Sequence, residues 1–257
     1  PEVVAVTAAM LIPVGLEGFA ARFPDRVFDV GIAEQHALTM AAGLSYAGLH
    51  PVVCIYATFL NRAFDQLLMD CALHSAGVTV VLDRAGVTGT DGGSHNGMWD
   101  LTITGIMPGV RVTAPRDAVQ LRRALREAVA INDGPTVLRF SKQNPPPTLP
   151  ATRVSGSVDI LAEPSGGDVD LLLVGIGEMA AIAVEVAGLL TAEGRSVRVI
   201  DPRWSVPVSP DVVQSAAAAG AVAVIEDGIV VGGVGSQIAY AVREAGLAQP
   251  VFTYGIP

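Results

Sequence analysis

The sequence is poor in several things at once. It has two cysteines, Cys54 and Cys71, both inside apolar patterns. That is too few for a disulfide framework, they lack CxxC spacing, and no metal cluster surrounds them, so buried free thiols are expected. Basic charge is also scarce: the net charge is -9. Phosphate backbones need a basic face, which argues against nucleic acid as a partner. A small anionic substrate needs only a few local cations and stays open. No apolar run approaches the ~18 residues of a membrane span. The N-terminus has no basic stretch leading into an apolar core, so no export signal is read. These absences point to the cytoplasm and away from a membrane.

What is present is apolar: 51% of the 257 residues are hydrophobic. That suffices for one large or two ordinary buried cores. Short β-branched runs alternate with Ala/Leu-rich helical patterns. The runs EVVAVT, RVFDV, PVVCIY, VTVVLD, VRVTA and TVLRF read as strands. Helices are expected over about 33–48, 59–74 and 116–130, the last started by Pro115 and Asp117. Continuously apolar strands need both faces covered, hence a parallel, doubly wound sheet. The segment SKQNPPPTLPATRVSGS breaks the pattern with four prolines and reads as a linker. A second βα series follows, with strands DVDLLLVGIG, RSVRVID, AVAVIED and PVFTYG, and helices over 178–193, near 210–218 and over 233–245. The expected fold class is α/β, with two doubly wound, mainly parallel-sheet domains at 1–146 and 161–257, joined by a linker at 147–160. The initial Pro and the final TYGIP, directly after a strand-like run, suggest a fragment or one subunit of a split protein.

Four stretches carry candidate chemistry. In FDVGIAEQHA a strand runs into Gly31, and Glu34 falls in the first turn of a helix. Ligand crevices in open α/β sheets lie at the carboxyl ends of strands, and the helix dipole favours an ionised carboxylate there. A plain helix-start glutamate reads the same way, and His36 beside it reads as structural. In YATFLNRAFDQ, Tyr56 ends a strand, Phe59 opens the next helix and Arg62 lies about one turn on, so a ring and an anion could be held. The alternative is core aromatics with a surface ion pair. DRAGVTGTDGGSHNGMWD, 83–100, interleaves five glycines with Arg84, Asp91, His95 and Trp99. A long loop combining an acid, an imidazole and an arginine at a strand's end reads as functional. Finally, LLLVGIGEMA with Asp201 imitates a dinucleotide fingerprint, and GGVGS at 232–236 imitates an anion-binding helix start. Tight strand–helix turns need such glycines with or without a ligand.

Taken together, FDVGIAEQHA, HPVVCIYATFLNRAFDQ, DRAGVTGTDGGSHNGMWDL, DGPTVLRF and IDPRWSVPVS resemble the 1-deoxy-D-xylulose-5-phosphate synthases of the transketolase superfamily. The resemblance covers the family's pyrimidine-binding and C-terminal domains. It implies a thiamine-diphosphate enzyme that condenses pyruvate, with loss of CO2, and glyceraldehyde 3-phosphate, the first step of the non-mevalonate isoprenoid route and a source for thiamine itself. The diphosphate and Mg²⁺ would be held by a further domain or subunit, so no metal ligand is expected in this chain. A homodimer or hetero-oligomer is implied.

The family assigns Glu34 to the ring nitrogen N1' of the aminopyrimidine. A carboxyl there favours the imino form of the 4'-amino group, which helps remove the weakly acidic C2 proton. Phe59 matches the aromatic on the pyrimidine, with Ile32 beside it in the cofactor-binding set. Tyr56, Arg62, Arg84, Asp91, His95 and Lys142 match substrate contacts, with His95 and Asp91 also candidates for proton transfer or its orientation. After VLRF the family commonly has Pro, then Arg or Lys, then Gly; here Ser141, Lys142 and Gln143 stand. Lys142 keeps the charge but lacks arginine's bidentate fork. The acceptor is therefore open, and three other readings remain: a split transketolase-like subunit with another acceptor, a non-catalytic interaction domain, and a dinucleotide-binding protein.

Overall fold

The apolar runs pair side by side as strands, and the Ala/Leu segments between them form the covering helices. In the computed structural model, which describes residues 2–164 and 166–257, the chain forms two units. One comprises the residues up to 112 together with 123–143; the other comprises 113–122 together with 144–257.

The first unit contains β1 (Val3–Thr7), β2 (Val27–Asp29), β3 (His50–Tyr56), β4 (Thr79–Asp83), β5 (Arg111–Thr113) and β6 (Thr136–Arg139). The order is β5-β6-β4-β3-β1-β2. The pairs β2–β1, β1–β3, β3–β4 and β4–β6 are all parallel. β3 is buried from His50 to Ile55 and β6 throughout, as a strand covered on both faces must be. The helix Glu34–Tyr46 buries Leu38 together with Ala37, Ala41 and Ala42, three small residues that let its axis approach the sheet closely. Parallel strands share one carboxyl edge. Asp29, Tyr56, Asp83 and Arg139, the last residues of β2, β3, β4 and β6, therefore deliver the segments that follow them to the same side.

The second unit contains β7 (Arg153–Ser155), β8 (Val158–Ala162), β9 (Val169–Gly175), β10 (Val197–Asp201), β11 (Trp204–Val206), β12 (Ala219–Ile229) and β13 (Val251–Ile256). Its six-stranded sheet has the order β13-β12-β9-β10-β8-β7. The central pairs are parallel, whereas β10–β8 and β8–β7 are antiparallel. The fold class is thus α/β with two mainly parallel sheets, as the apolar strand pattern requires.

The stretch 147–160, read above as a linker, holds β7 and the start of β8. They pair Arg153 with Ile160 around a turn at Gly156, whose φ of 58° suits glycine. The prolines before it hide a short hairpin of weak periodicity. A second difference is that residues 113–122 group with the second unit. Arg116 is the physical reason: its Nη1 meets Asp201 Oδ2 at 2.6 Å and Asp159 Oδ2 at 2.8 Å, and its Nε donates to the Leu149 carbonyl. Asp117 Oδ1 caps the following helix by accepting from Val119 N and Gln120 N, as the sequence predicts for that start.

The predicted helix over 59–74 is instead a composite. A 3₁₀ segment, Ala57–Ala63, passes through one α turn into a π segment, Leu67–Ala72. Cys54 and Cys71 are buried free thiols, and desolvation pushes both up to about 12.

Candidate active site

The site is built on the carboxyl edge of the first sheet. After β2, Asp29 Oδ1 accepts from Ala9 N and Gly31 N, which fixes a turn whose Gly31 has φ 70°. That turn leads into the helix Glu34–Tyr46, with Glu34 as its first residue and only 1% exposed. Its Oε2 is buried without a hydrogen-bond partner. The charged group nearest to it is Arg62 Nη1, at 3.4 Å, on a side chain 46% exposed. A buried, half-unsatisfied carboxylate at a helix start is costly and calls for a donor from outside the chain. It is not a simple cap: Ala33 precedes the helix, with no side-chain cap bond.

β3 ends at Tyr56, and the 3₁₀ segment after it carries Phe59 and Arg62. The Tyr56 and Phe59 rings stack, with centroids 5.8 Å apart and planes 11° apart. His95 stands edge-on to both, at 6.5 Å and 5.7 Å. The Arg84 guanidinium covers Tyr56 at 3.8 Å from the ring centroid. Burial raises the Tyr56 phenol above its ordinary range, against the pull of Arg84. Tyr56, Phe59, Arg84 and His95 therefore form one aromatic and cationic wall.

β4 ends at Asp83, and Arg84 follows with φ 63°, a left-handed conformation rare for a bulky residue and typical of functional edges. Arg84 Nη1 donates to Asp83 Oδ2 at 2.6 Å. Burial raises the Asp83 carboxyl, with Arg84 opposing. Arg84 Nε also faces Asp91 Oδ2 at 3.6 Å, and Lys142 Nζ donates to Asp91 Oδ1 at 2.6 Å. The Lys142 hydrogen bond holds the Asp91 carboxyl below the usual range. Lys142 is the single lysine of the chain.

The loop brings Arg84, Asp91 and His95 to the edge where Tyr56 and Phe59 stand, and the turn after β6 brings Lys142 to Asp91. Arg62 joins Glu34. Ile32 is 73% exposed in the turn before Glu34, an apolar side chain with no packing of its own there. His36, in the same first turn of the helix, is solvent-exposed.

Sequence reasoning missed the supports. Asp100 accepts from Arg139 Nε at 2.6 Å, both residues being buried, and this ties the loop's end to β6. Thr58 Oγ1 donates to the Ser94 carbonyl at 3.0 Å. Neither pair is adjacent in sequence, so no local pattern announces it. Among the described residues no group of three or more His, Cys, Asp or Glu is placed to hold a metal ion, and no helix is long and apolar enough to cross a membrane.

The two glycine-rich signatures of the second unit are filled from within. A Cβ on Gly175 would lie 2.4 Å from the Ala180 backbone, so that glycine serves close strand–helix packing. Asp201 is taken by Arg116. At GGVGS, the Glu226 carboxylate accepts from Val234 N at 3.0 Å and Gly235 N at 2.8 Å. This arrangement removes the dinucleotide reading.

An acid, an aromatic wall and paired cations on the carboxyl edge of one parallel sheet, with a second α/β unit following, define the class. Residues 1–148 match the family model for the transketolase pyrimidine binding domain and 162–257 that for the transketolase C-terminal domain, and the chain belongs to the transketolase family. More particularly, it is 57% identical over 256 residues to 1-deoxy-D-xylulose-5-phosphate synthase 2 of Streptomyces coelicolor, an alignment covering 100% of this chain and 40% of that protein. The 1-deoxy-D-xylulose-5-phosphate synthase of Thermobifida fusca is likewise 57% identical over 257 residues, covering 99% of this chain and 40% of its own length. Among solved structures, a split gene transketolase in the form of an inactive β4 tetramer superposes with a TM-score of 0.86 at 32% identity, over 99% of this chain and 83% of that one. The chain spans about 40% of the curated relatives it matches.

Proposed function

We propose that this chain provides the pyrimidine-side half of a thiamine-diphosphate site in a 1-deoxy-D-xylulose-5-phosphate synthase. The reaction joins pyruvate, with loss of CO2, to glyceraldehyde 3-phosphate. One observation carries this reading: the Glu34 carboxylate is buried, and its Oε2 is left without a hydrogen-bond partner. The residues present fit an aminopyrimidine, which offers a ring nitrogen to a carboxyl and a flat face to an aromatic such as Phe59. When bound, the cofactor supplies the acidic carbon on which the bond next to pyruvate's carbonyl is cleaved.

The chain's own residues then have defined tasks. Glu34 shares a proton at the pyrimidine nitrogen, in a setting dry enough for a hydrogen bond to shift a tautomer. Arg62 balances its charge from the solvent side. Ile32 and Phe59 cover the ring and keep water off. Arg84 and Lys142 hold the acceptor's phosphate, and Tyr56 lines the same wall. His95 gives a proton to the oxygen of the accepting aldehyde, while Asp91 orients hydroxyls or the imidazole. The diphosphate, Mg²⁺, a partner domain or subunit, a dimeric assembly and a cytoplasmic setting belong to this proposal.

A second reading has one observation in its favour. The turn after β6 carries Ser141, Lys142 and Gln143, which suits an acceptor held less tightly by phosphate. The solved neighbour's description as a split-gene transketolase agrees with a subunit of that kind. A single test separates the two. The complete enzyme is given pyruvate, thiamine diphosphate, Mg²⁺ and a panel of aldehydes, and the product is identified by mass spectrometry. Deoxyxylulose 5-phosphate as the main product supports the first reading, and a different ketose the second. No product from any aldehyde sinks both.

A further inference from the structure

The loop between β4 and the helix Asp100–Gly105 is closed at a neck. Gly86 and Gly97 exchange both backbone bonds, Gly86 N to Gly97 O at 3.0 Å and Gly97 N to Gly86 O at 2.9 Å. One step further in, a single side-chain atom does two jobs. Asn96 Oδ1 accepts from Thr88 N at 3.0 Å and from Thr88 Oγ1 at 2.9 Å. Thr88 is only 4% exposed. Four hydrogen bonds thus cross between residues 86–88 and residues 96–97.

Everything from Gly89 to His95 lies outside this neck. That apex is two 3₁₀ turns, Gly89–Asp91 and Gly93–His95, hinged at Gly92 with φ 81°. No ladder fixes its backbone, and its glycines leave it wide conformational freedom. Yet it carries Asp91 and His95. Their placement depends on where the neck delivers the chain, together with two tethers at the apex, Thr58 Oγ1 to the Ser94 carbonyl and Lys142 Nζ to Asp91 Oδ1. The neck itself has no slack: a Cβ on Gly97 would lie 2.4 Å from Ala57 Cβ and 2.6 Å from the Arg84 carbonyl. Any loosening between 88 and 96 therefore passes outward to the apex.

We propose that Asn96 is a positioning residue: by clasping Thr88 it sets where Asp91 and His95 stand against the acceptor. The proposal rests on the acceptor site described under the proposed function. The acceptor atom is what matters, so a side chain of the same shape that still accepts keeps the clasp, and one without an oxygen loses it.

The test uses Asn96→Ala, Asn96→Asp and Thr88→Val in the complete enzyme. A misplacement of about 1 Å costs up to ~100-fold in rate. Asn96→Ala is thus expected to lower kcat/KM for the acceptor about tenfold while kcat/KM for pyruvate stays within about twofold of wild type. Thr88→Val, which removes one of the two donors, should fall between, and Asn96→Asp should restore near wild-type values. In parallel, hydrogen exchange at amides 89–95 is expected to quicken in Asn96→Ala and not in Asn96→Asp. Unchanged exchange in Asn96→Ala overturns the proposal. So does faster exchange with an unmoved acceptor kcat/KM, or with both kcat/KM values lowered alike. If wild-type enzyme accepts no aldehyde, the functional reading fails together with Asn96's part in the reaction, while the exchange data still decide whether the clasp holds the loop.

Discussion

Asp91 is the bridge between two cations: its Oδ1 is 2.6 Å from Lys142 Nζ, and its Oδ2 is 3.6 Å from Arg84 Nε. A carboxylate here stands where the two positive groups converge, so under the proposed function the acceptor's phosphate would share or take that place. The lysine meets it as a point charge and not with arginine's fork.

Lys142 is therefore expected to control the acceptor and not pyruvate. The pair is partly exposed, so solvent screens part of what the lysine's charge contributes. Lys142→Met should raise the KM for glyceraldehyde 3-phosphate about tenfold with the pyruvate KM unmoved, and Lys142→Arg should lower it several-fold. Initial rates against each substrate in the complete enzyme check this. Equal effects on both substrates would show that the charge serves something else.

Glu34 gives the sharpest test of the cofactor reading. Glu34→Gln keeps the shape and the burial but cannot ionise or share a proton in the same way. A fall in kcat of about 100-fold or more is expected, the scale of a lost general acid–base partner. Far-ultraviolet circular dichroism and the unfolding midpoint should stay near wild type, because Oε2 has no hydrogen-bond partner to lose and its ion pair with the half-exposed Arg62 is screened by solvent. A variant of nearly full activity defeats the assignment.

Arg116 answers for stability in the second unit. It is buried between Asp159 and Asp201, and their carboxylates hold its charge against the desolvation that opposes it. Arg116→Met leaves Asp201 without its cation and Asp159 with only Arg203, at 3.6 Å, which costs about 3–5 kcal/mol. Denaturant unfolding should show the midpoint falling accordingly. A loss below about 1 kcal/mol would mean the network relaxes without it.

His50 predicts a pH dependence. Its ring lies buried between Asn132 Oδ1, at 3.1 Å, and Thr79 Oγ1, at 2.8 Å, and burial lowers its pKa. In the unfolded chain the ring takes up a proton near pH ~6.5, while the folded protein holds it neutral. Between that value and the lower folded pKa the unfolded state binds more protons, so stability falls as pH drops through this window. Urea midpoints at pH 7.5 and 5.5 should fall further apart in the wild type than in His50→Gln. An equal spread removes His50 as a cause.

Much of this architecture can be read in the chain, and what cannot be read has a physical reason. The helices beginning near Glu34, Met179 and Val234 announce themselves through apolar spacing and glycine turns. Glu34 stands out only through the family resemblance, because from the residues alone a plain helix-start glutamate reads the same way. The hairpin around Gly156 is hidden behind prolines. The 3₁₀ and π character of residues 57–72 follows from packing that no periodicity encodes. The boundary between the units escapes because Arg116 finds Asp159 and Asp201 only in three dimensions. Asn96 escapes for a similar reason: an asparagine in a glycine-rich loop looks like turn chemistry until Thr88 is seen against it.

Glu226 has a consequence of its own. A helix opening that attracts anions already hosts one, supplied covalently and at fixed concentration by the neighbouring strand. Free phosphate would have to evict a tethered tenant to lodge at this one helix start.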